Sequence, residues 1–505
     1  MVMTSIEKIE ADQNNIHIYV REGGAVPDRY IVVDRAPYET EETAIKRGGV
    51  SCQEERKEEQ RLRFSCQRFV HGEDRLYHRF SVMEVCDGEE RRLEGPCYVT
   101  HMDAVSQWNY PYPSAPTVKG LQVKILEDGL KLGLGHVALN MNLPCILQAQ
   151  NSNDAIVYRL GDREFYFNRA YMQAMDAKIK ALTNQGVVVN LIIINRREWH
   201  GVWGDPALGP VLMHPCLHPE GVVSAFYVTN RDAFAYYQAC LEFLSQRYMR
   251  PDGRYGRVCG WIIGNEVNAQ WIYSNAGEME LSSFLQEYTV ALRTAFYAVR
   301  KYYTQARVYV SLDHCWNMTN ENQPLRYYKG LEFITAMHRI VRKEGDFYWC
   351  VAYHPYPQDL SRADFWNDEL AWDRFDTGKI TYKNIEVLPA FLAQKSFLCQ
   401  GERRRIILSE QGVCSGQTPD EEALQADAFV LAYEKIARIP EIDSFIYHSH
   451  IDEKQEGLYL GLLSENGRRK AIYDCFAAID GPRGEVMFRA ARERVGQENC
   501  RKIKL

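Results

Sequence analysis

Eight short apolar runs, separated by stretches of helical periodicity, constrain this 505-residue chain more than any other feature. Residues 136–142, 187–195, 258–264, 307–312, 349–353, 405–409 and 444–448 are rich in Val, Ile, Leu and aromatic side chains, and residues 97–100 supply an eighth, earlier run. Strands this apolar belong in a parallel sheet covered on both faces. The segments between them read as helices: 120–131, ended by Gly133 and Gly135; 171–183, stopped by Asn184 and Gly186; a helix capped by Asn230 and running to about 248; then 280–302, 328–343 and 420–437. Eight βα units in succession predict an α/β fold, a closed (β/α)8 TIM barrel, with an open doubly wound sheet as the alternative. The open sheet calls for a phosphate-binding loop after an early strand. Gly133-Leu134-Gly135 precedes a strand instead of opening a helix.

The barrel takes residues 96–480. It leaves a small β-rich accessory domain at 1–95 and a C-terminal extension at 481–505. Runs of β-formers at 16–20, 30–33, 64–70 and 77–85, with Gly23-Gly24 and Asp87-Gly88 as turns, point to an antiparallel sheet. The mixed-charge run from Glu54 to Glu59 reads as a solvated loop or helix face.

In such a barrel the chemistry sits at the C-terminal strand ends. Those ends carry Asn140 and Asn142, Asn195 and Arg196, Asn265 and Glu266, Asp313, His314 and Trp316, His354 and Tyr356, Glu410, and His448 and His450. A carboxylate at the mouth of a buried strand is costly without a partner or a task. Two of them, Glu266 and Glu410, meet the demand of glycosidic cleavage: one protonated carboxyl for the leaving oxygen and one ionised carboxylate for the anomeric carbon. His354 reads either as a substrate contact or as a satisfied interior histidine. Of His448 and His450, the first is placed to line the mouth. Trp271, Tyr273, Trp316, Trp366 and Trp372 lie in loops after strands, where they either stack on sugar or pack the loops. His214 and His218 have a spacing that metals use, but Pro215 and Pro219 break the segment. No metal or cofactor is expected.

Gly264-Asn265-Glu266 and Leu408-Ser409-Glu410-Gln411-Gly412 resemble the two signatures of the retaining (β/α)8 glycoside hydrolases of clan A. The tail from Glu456-Gly457-Leu458 through Gly461 to Lys470-Ala471-Ile472-Tyr473 resembles the closing segment of that clan. Within the clan the chain resembles an uncharacterised family, domain of unknown function 5722. The resemblance covers residues 96–480. It implies hydrolysis of a β-glycosidic bond by double displacement, with Glu266 as acid/base and Glu410 as nucleophile. It further implies that Asn265 binds the sugar 2-hydroxyl and that Tyr356, or Tyr353 in a shifted register, orients the nucleophile. The substrate-binding set expected on this scaffold is Asn265, Asn140, Asn195, His314, Trp316, His354, Tyr356, His448 and Trp271. The chain departs from the clan in having Val267 after the acid/base position, and Tyr447, His448 and His450 where many members carry a Trp. It also has Asn140 and Asn142 in place of an Arg common at the second strand. A non-catalytic carbohydrate-binding protein and a transglycosylase using the same carboxylates are the alternatives.

A net charge of −7, with no dominant basic field, argues against nucleic acid as the partner. The 14 cysteines include no C-x-x-C pair and so offer no zinc framework. The longest apolar stretch, 187–194, is interrupted by Asn190 and is too short for a bilayer. The first residues lack a basic segment followed by an apolar run, so no signal peptide and a cytoplasmic location are expected. The expected partner is a carbohydrate.

Overall fold

The computed structural model describes residues 5–22, 27–57 and 61–505. Eight parallel strands close into a barrel. In chain order they are β1 (Lys119–Leu121), β2 (His136–Asn142), β3 (Val188–Ile194), β4 (Val258–Ile263), β5 (Arg307–Leu312), β6 (Trp349–Tyr353), β7 (Ile406–Gln411) and β8 (Ile442–Tyr447). The seam joins the first strand to the last, with Gly120 opposite Ile446. The main outer helices are α1 (Arg169–Thr183), α2 (Arg231–Tyr248), α3 (Leu281–Arg300), α4 (Gly330–Lys343) and α5 (Pro419–Ile436). Their starts follow from local chemistry. Asn230 accepts from the amides of Asp232 and Ala233 ahead of α2. Thr418 and Glu421 form a reciprocal capping box ahead of α5, whose first residue is Pro419.

The first strand and first helix differ from expectation. Cys97 and Tyr98 end an antiparallel strand, Glu89–Tyr98, and take no part in the barrel. The barrel instead begins at Lys119–Leu121, overlapping the start of the segment expected to be helical, and helix is limited there to Leu126–Gly129. Three residues give no periodicity to read. The middle one is a glycine for a packing reason: a Cβ on Gly120 would lie 2.7 Å from the His136 carbonyl oxygen and 2.8 Å from Ile446 Cγ1.

Inside the barrel, Ala138, Ile192, Ile194, Ile262, Tyr309, Cys350, Ala352, Ile407 and Ile446 form one apolar cluster. Strand alternation carries these inward rows up to Asn140, Ser311, His354, Ser409 and His448 at the C-terminal mouth. At the opposite end the floor is ionic. Asp443 accepts from Arg307 at 2.8 Å and from Arg405 at 3.0 Å, and the Tyr112 ring lies 3.8 Å from the Arg307 guanidinium. Burial pushes His136, at the start of β2, down to about 4.

The described N-terminal residues form a two-stranded antiparallel sheet, Phe69–Val70 with Glu73–Asp74, and two larger ones. One has the order Ser5–Ala11, Asn15–Arg21, Arg61–Gln67, Gln53–Lys57; the other joins Arg29–Arg35, Arg79–Cys86 and Glu89–Tyr98. The charged run expected as loop or helix is therefore an edge strand as far as Lys57, where charge protects an open sheet edge. Its Glu58 and Glu59, and the Gly23-Gly24 turn, lie outside the described residues. A further three-stranded sheet, Leu147–Gln148, Ala155–Leu160 and Arg163–Asn168, sits between β2 and α1. Among the described residues no helix is long and apolar enough to cross a membrane.

Candidate active site

The chain leaves β4 through Gly264 (φ 79°) and then Glu266 (φ 40°). The second is a left-handed conformation in a residue with a Cβ, which costs on the order of 1–2 kcal/mol. The end of β5 holds it there. The Glu266 amide donates to Ser311 Oγ at 3.0 Å, and the Val267 amide donates to the Ser311 carbonyl at 3.0 Å. Two residues on, Asn268 donates to Asp313 Oδ1 at 2.5 Å and accepts from the Asp313 amide at 3.0 Å. So fixed, Glu266 Oε1 lies 2.7 Å from His354 Nδ1.

Glu410 is aimed by an irregularity in β7. Leu408 faces Phe445 but Gln411 faces Tyr447, so β7 carries one extra residue over this step. Its Oε1 accepts from the Tyr356 hydroxyl at 3.2 Å and its Oε2 from Gln122 Nε2 at 3.1 Å. The two glutamates approach across the mouth: Glu266, His354 and Glu410 each bring a donor atom within 4.8 Å of the other two. Among the described residues this is the group whose donors are close enough to hold a metal ion. Its imidazole is already committed, to Glu266 through Nδ1 and to Ser409 Oγ through Nε2 at 3.0 Å.

Electrostatics separate the groups. Burial works to raise the Glu410 carboxyl, but the His354 and His448 imidazoles and the Gln122 and Tyr356 hydrogen bonds outweigh it, holding Glu410 below its ordinary range. Burial opposes charge on His354, yet its bond to Glu266 and the nearby Glu410 raise it overall. Asp313 moves the other way: burial, then the charge of Glu266, push it up to about 7.

The expected binding residues divide into two groups. Asn265 Oδ1 is buried without a hydrogen-bond partner, next to Glu266. Asn140 sits half-buried at the mouth above Ala138. Tyr356, and not Tyr353, reaches Glu410; Tyr353 is fully buried within β6. His448 faces the site through Gln122, whereas His450 turns away to Asp128 at 2.9 Å. Trp271 is partly exposed, with the Arg326 guanidinium 3.8 Å from its ring and the His218 ring 4.6 Å away.

The remaining expected contacts are spent inside the protein. Asn195 is buried and donates to the carbonyls of Leu212 (2.8 Å) and Ala225 (3.1 Å), clamping the loop after β3. Trp316 is wholly buried, donating to the Phe375 carbonyl at 2.8 Å and packed edge-on against Phe391, so it has no face for a sugar. His314 is buried between the Tyr356 carbonyl (3.2 Å) and Lys379 Nζ (2.9 Å), and burial with Lys379 pushes it down to about 3. His354, at 0% exposure, bridges Glu266 to Ser409 and is not itself a surface for substrate. Trp366 is buried as well, while Trp372 stays exposed. His214 goes to Glu287 at 3.2 Å and His218 to Trp271, so the two do not converge on a common point.

Sequence reading missed Gln122, Ser311 and Ser409, and gave Asp313 no role. Gln122 follows the three-residue β1 that periodicity did not reveal. The two serines were visible only as inward positions on alternating strands.

The model of a family described as "Family of unknown function (DUF5722)" matches residues 111–503. No curated protein matches the chain. Several solved structures are similar. A family 39 glycoside hydrolase from the gut symbiont Bacteroides cellulosilyticus WH2 is 10% identical, over 95% of this chain and 82% of that one, with a TM-score of 0.46. GH5_18 from Streptomyces cattleya, in complex with GlcNAc, is 14% identical over 75% and 81%, with a TM-score of 0.44. A family 1 β-glucosidase from Thermotoga maritima is 11% identical over 70% and 84%, with a TM-score of 0.41.

Proposed function

Because the chain belongs to the family of unknown function DUF5722, its chemistry has to be read from its own site, and we propose that it is a retaining glycoside hydrolase acting on a β-glycosidic bond. The observation that carries this reading is that one carboxylate oxygen of Glu266 and one of Glu410 lie within 4.8 Å of each other across the barrel mouth. Retention requires carboxyl groups about 5–5.5 Å apart; inversion needs about 6.5–9.5 Å to admit water.

In the first step Glu410 attacks the anomeric carbon while the glycosidic C–O bond breaks and Glu266 delivers its proton to the leaving oxygen. In the second, Glu266 takes a proton from water as that water displaces Glu410. Tyr356 and Gln122 keep one bond on each oxygen of the attacking carboxylate. His354 fixes the position of Glu266. Asn265 Oδ1, buried with no hydrogen bond inside the protein, would become an acceptor for a sugar hydroxyl beside the reacting carbon on a turn of its side chain toward the mouth.

The test is incubation with 2-deoxy-2-fluoro glycosyl fluorides of the gluco, galacto, manno and xylo series, followed by peptide mass spectrometry. A stable adduct on the Glu410 peptide, absent in Glu410→Gln, is expected. Glu266→Ala should slow turnover by about 10²–10⁴-fold. An adduct on another residue, or a first-formed product of inverted anomeric configuration, would overturn the assignment.

A further inference from the structure

We propose that Gln122 and His448, one on each side of the barrel seam, form a positioning pair that aims the Glu410 carboxylate. Gln122 follows β1 directly and His448 follows β8, and the Gln122 amide donates to the Tyr447 carbonyl at 2.9 Å, which ties the two strand ends together. The side-chain amide of Gln122 has only one arrangement that satisfies its neighbours. Its Nε2 lies 3.1 Å from Glu410 Oε2 and 3.2 Å from the Ser409 carbonyl oxygen. An ionised carboxylate and a carbonyl both only accept, so the nitrogen has to face them. The Gln122 oxygen is then left facing His448 Nδ1, at 2.9 Å. An amide oxygen cannot donate, so His448 carries its proton on Nδ1. The ring thereby fixes the rotation of the amide, and the amide fixes Glu410.

The Nδ1–H donor reinforces the orientation that Glu410 and the Ser409 carbonyl already favour, because a turned-over amide would set its oxygen against two acceptors and its N–H against the ring N–H. In that orientation, Glu410 accepts one bond on each oxygen, from Tyr356 and from Gln122. A neutral donor of this kind favours the ionised carboxylate without placing a formal charge against it. The consequence for rate rests on Glu410 being the nucleophile, as proposed above. The orientation itself does not.

The experiment therefore reads Glu410 directly. Full-length protein labelled with ¹³C at the glutamate carboxyls is titrated by NMR, and the Glu410 signal is assigned by its loss in Glu410→Gln. Gln122→Met is expected to raise the Glu410 pKa, and Gln122→Glu, which keeps the side chain's shape, to raise it further. His448→Asn presents an amide N–H close to where Nδ1–H stood, whereas His448→Ala presents nothing. Both remove the imidazole charge, so any difference between them reports the donor alone. With Gln122 intact, Glu410 should titrate lower in His448→Asn than in His448→Ala. In the Gln122→Met background the two should coincide. An unchanged Glu410 pKa in both Gln122 variants would overturn the proposal, as would a His448→Asn/Ala difference that persists without Gln122. With the unfluorinated substrate of the sugar series whose fluoride labels Glu410, Gln122→Met should lower kcat about ten- to a hundredfold with KM little changed. Failure of all glycosyl fluorides to react would count against the hydrolase reading and leave the titration result standing.

Discussion

Asp313 holds its proton where an ordinary aspartate has long lost it. Its Oδ1 accepts from Asn268 Nδ2 and from the Cys315 amide at 2.8 Å, and burial with the charge of Glu266 pushes it up to about 7. In the unfolded chain it titrates near 3.9. Between these values the folded state binds the extra proton, so this residue's contribution to stability falls as pH rises from about 4 to 7 and is flat above. Asp313→Asn keeps the Oδ1 acceptor and removes the titration. Its stability relative to wild type, measured by urea unfolding across that range, should rise with pH and level off near 7. A difference independent of pH would mean that Asp313 is ionised throughout. The same crowding of acids around Glu266 accompanies its left-handed backbone, so the site concentrates two unfavourable features on a single turn.

At the scale of elements, Asn195 ends β3 but serves the loop that follows. Asn195→Ala would leave the Leu212 carbonyl without its donor and the Ala225 carbonyl with the Ser224 hydroxyl, at a cost of about 1–3 kcal/mol. The expected result is a lowered denaturation midpoint and faster proteolysis within residues 196–229. Lost turnover at unchanged stability would instead restore Asn195 as a substrate contact. Its assignment in the sequence failed for a definable reason. A strand end tells which side of the barrel a residue occupies, not which way it turns. Ile192 and Ile194 point inward, so Asn195 is out of phase and faces the loop; Tyr309 and Ser311 likewise place Asp313 in phase and Trp316 out of it. Strands β2 to β8 were legible because each is a buried apolar run, and Glu266, Glu410 and Tyr356 were legible as their polar ends. Glu410 escapes the parity rule only through the extra residue in β7. Nothing in the sequence marked β1, and Gln122 was lost with it.

Across the whole molecule, the N-terminal sheets and the barrel share buried charge. Lys301, at the end of α3, pairs with Asp74 at 3.1 Å and with Glu242 of α2 at 2.8 Å; Tyr77 also donates to Glu242 at 2.8 Å, and Tyr297 to the Val99 carbonyl at 2.6 Å. Asp74 is further held by Arg68. Removing one partner from such a cluster strands the others, so Lys301→Met should cost about 3–5 kcal/mol. Calorimetry should record that loss in a single transition of the full chain. Separate melting of the N-terminal sheets would show that the two parts are energetically independent.

The seam between β1 and β8 also has a consequence in time. Gln122 and His448 are 326 residues apart, an interval a ribosome covers in about 16–65 s at about 5–20 residues per second. Both glutamates leave the ribosome before the imidazole that orients the amide on Glu410. A nascent chain stopped between Glu410 and His448 would already hold its two carboxylates yet lack the alignment of one of them, so the carboxylates are made before the device that aims the second.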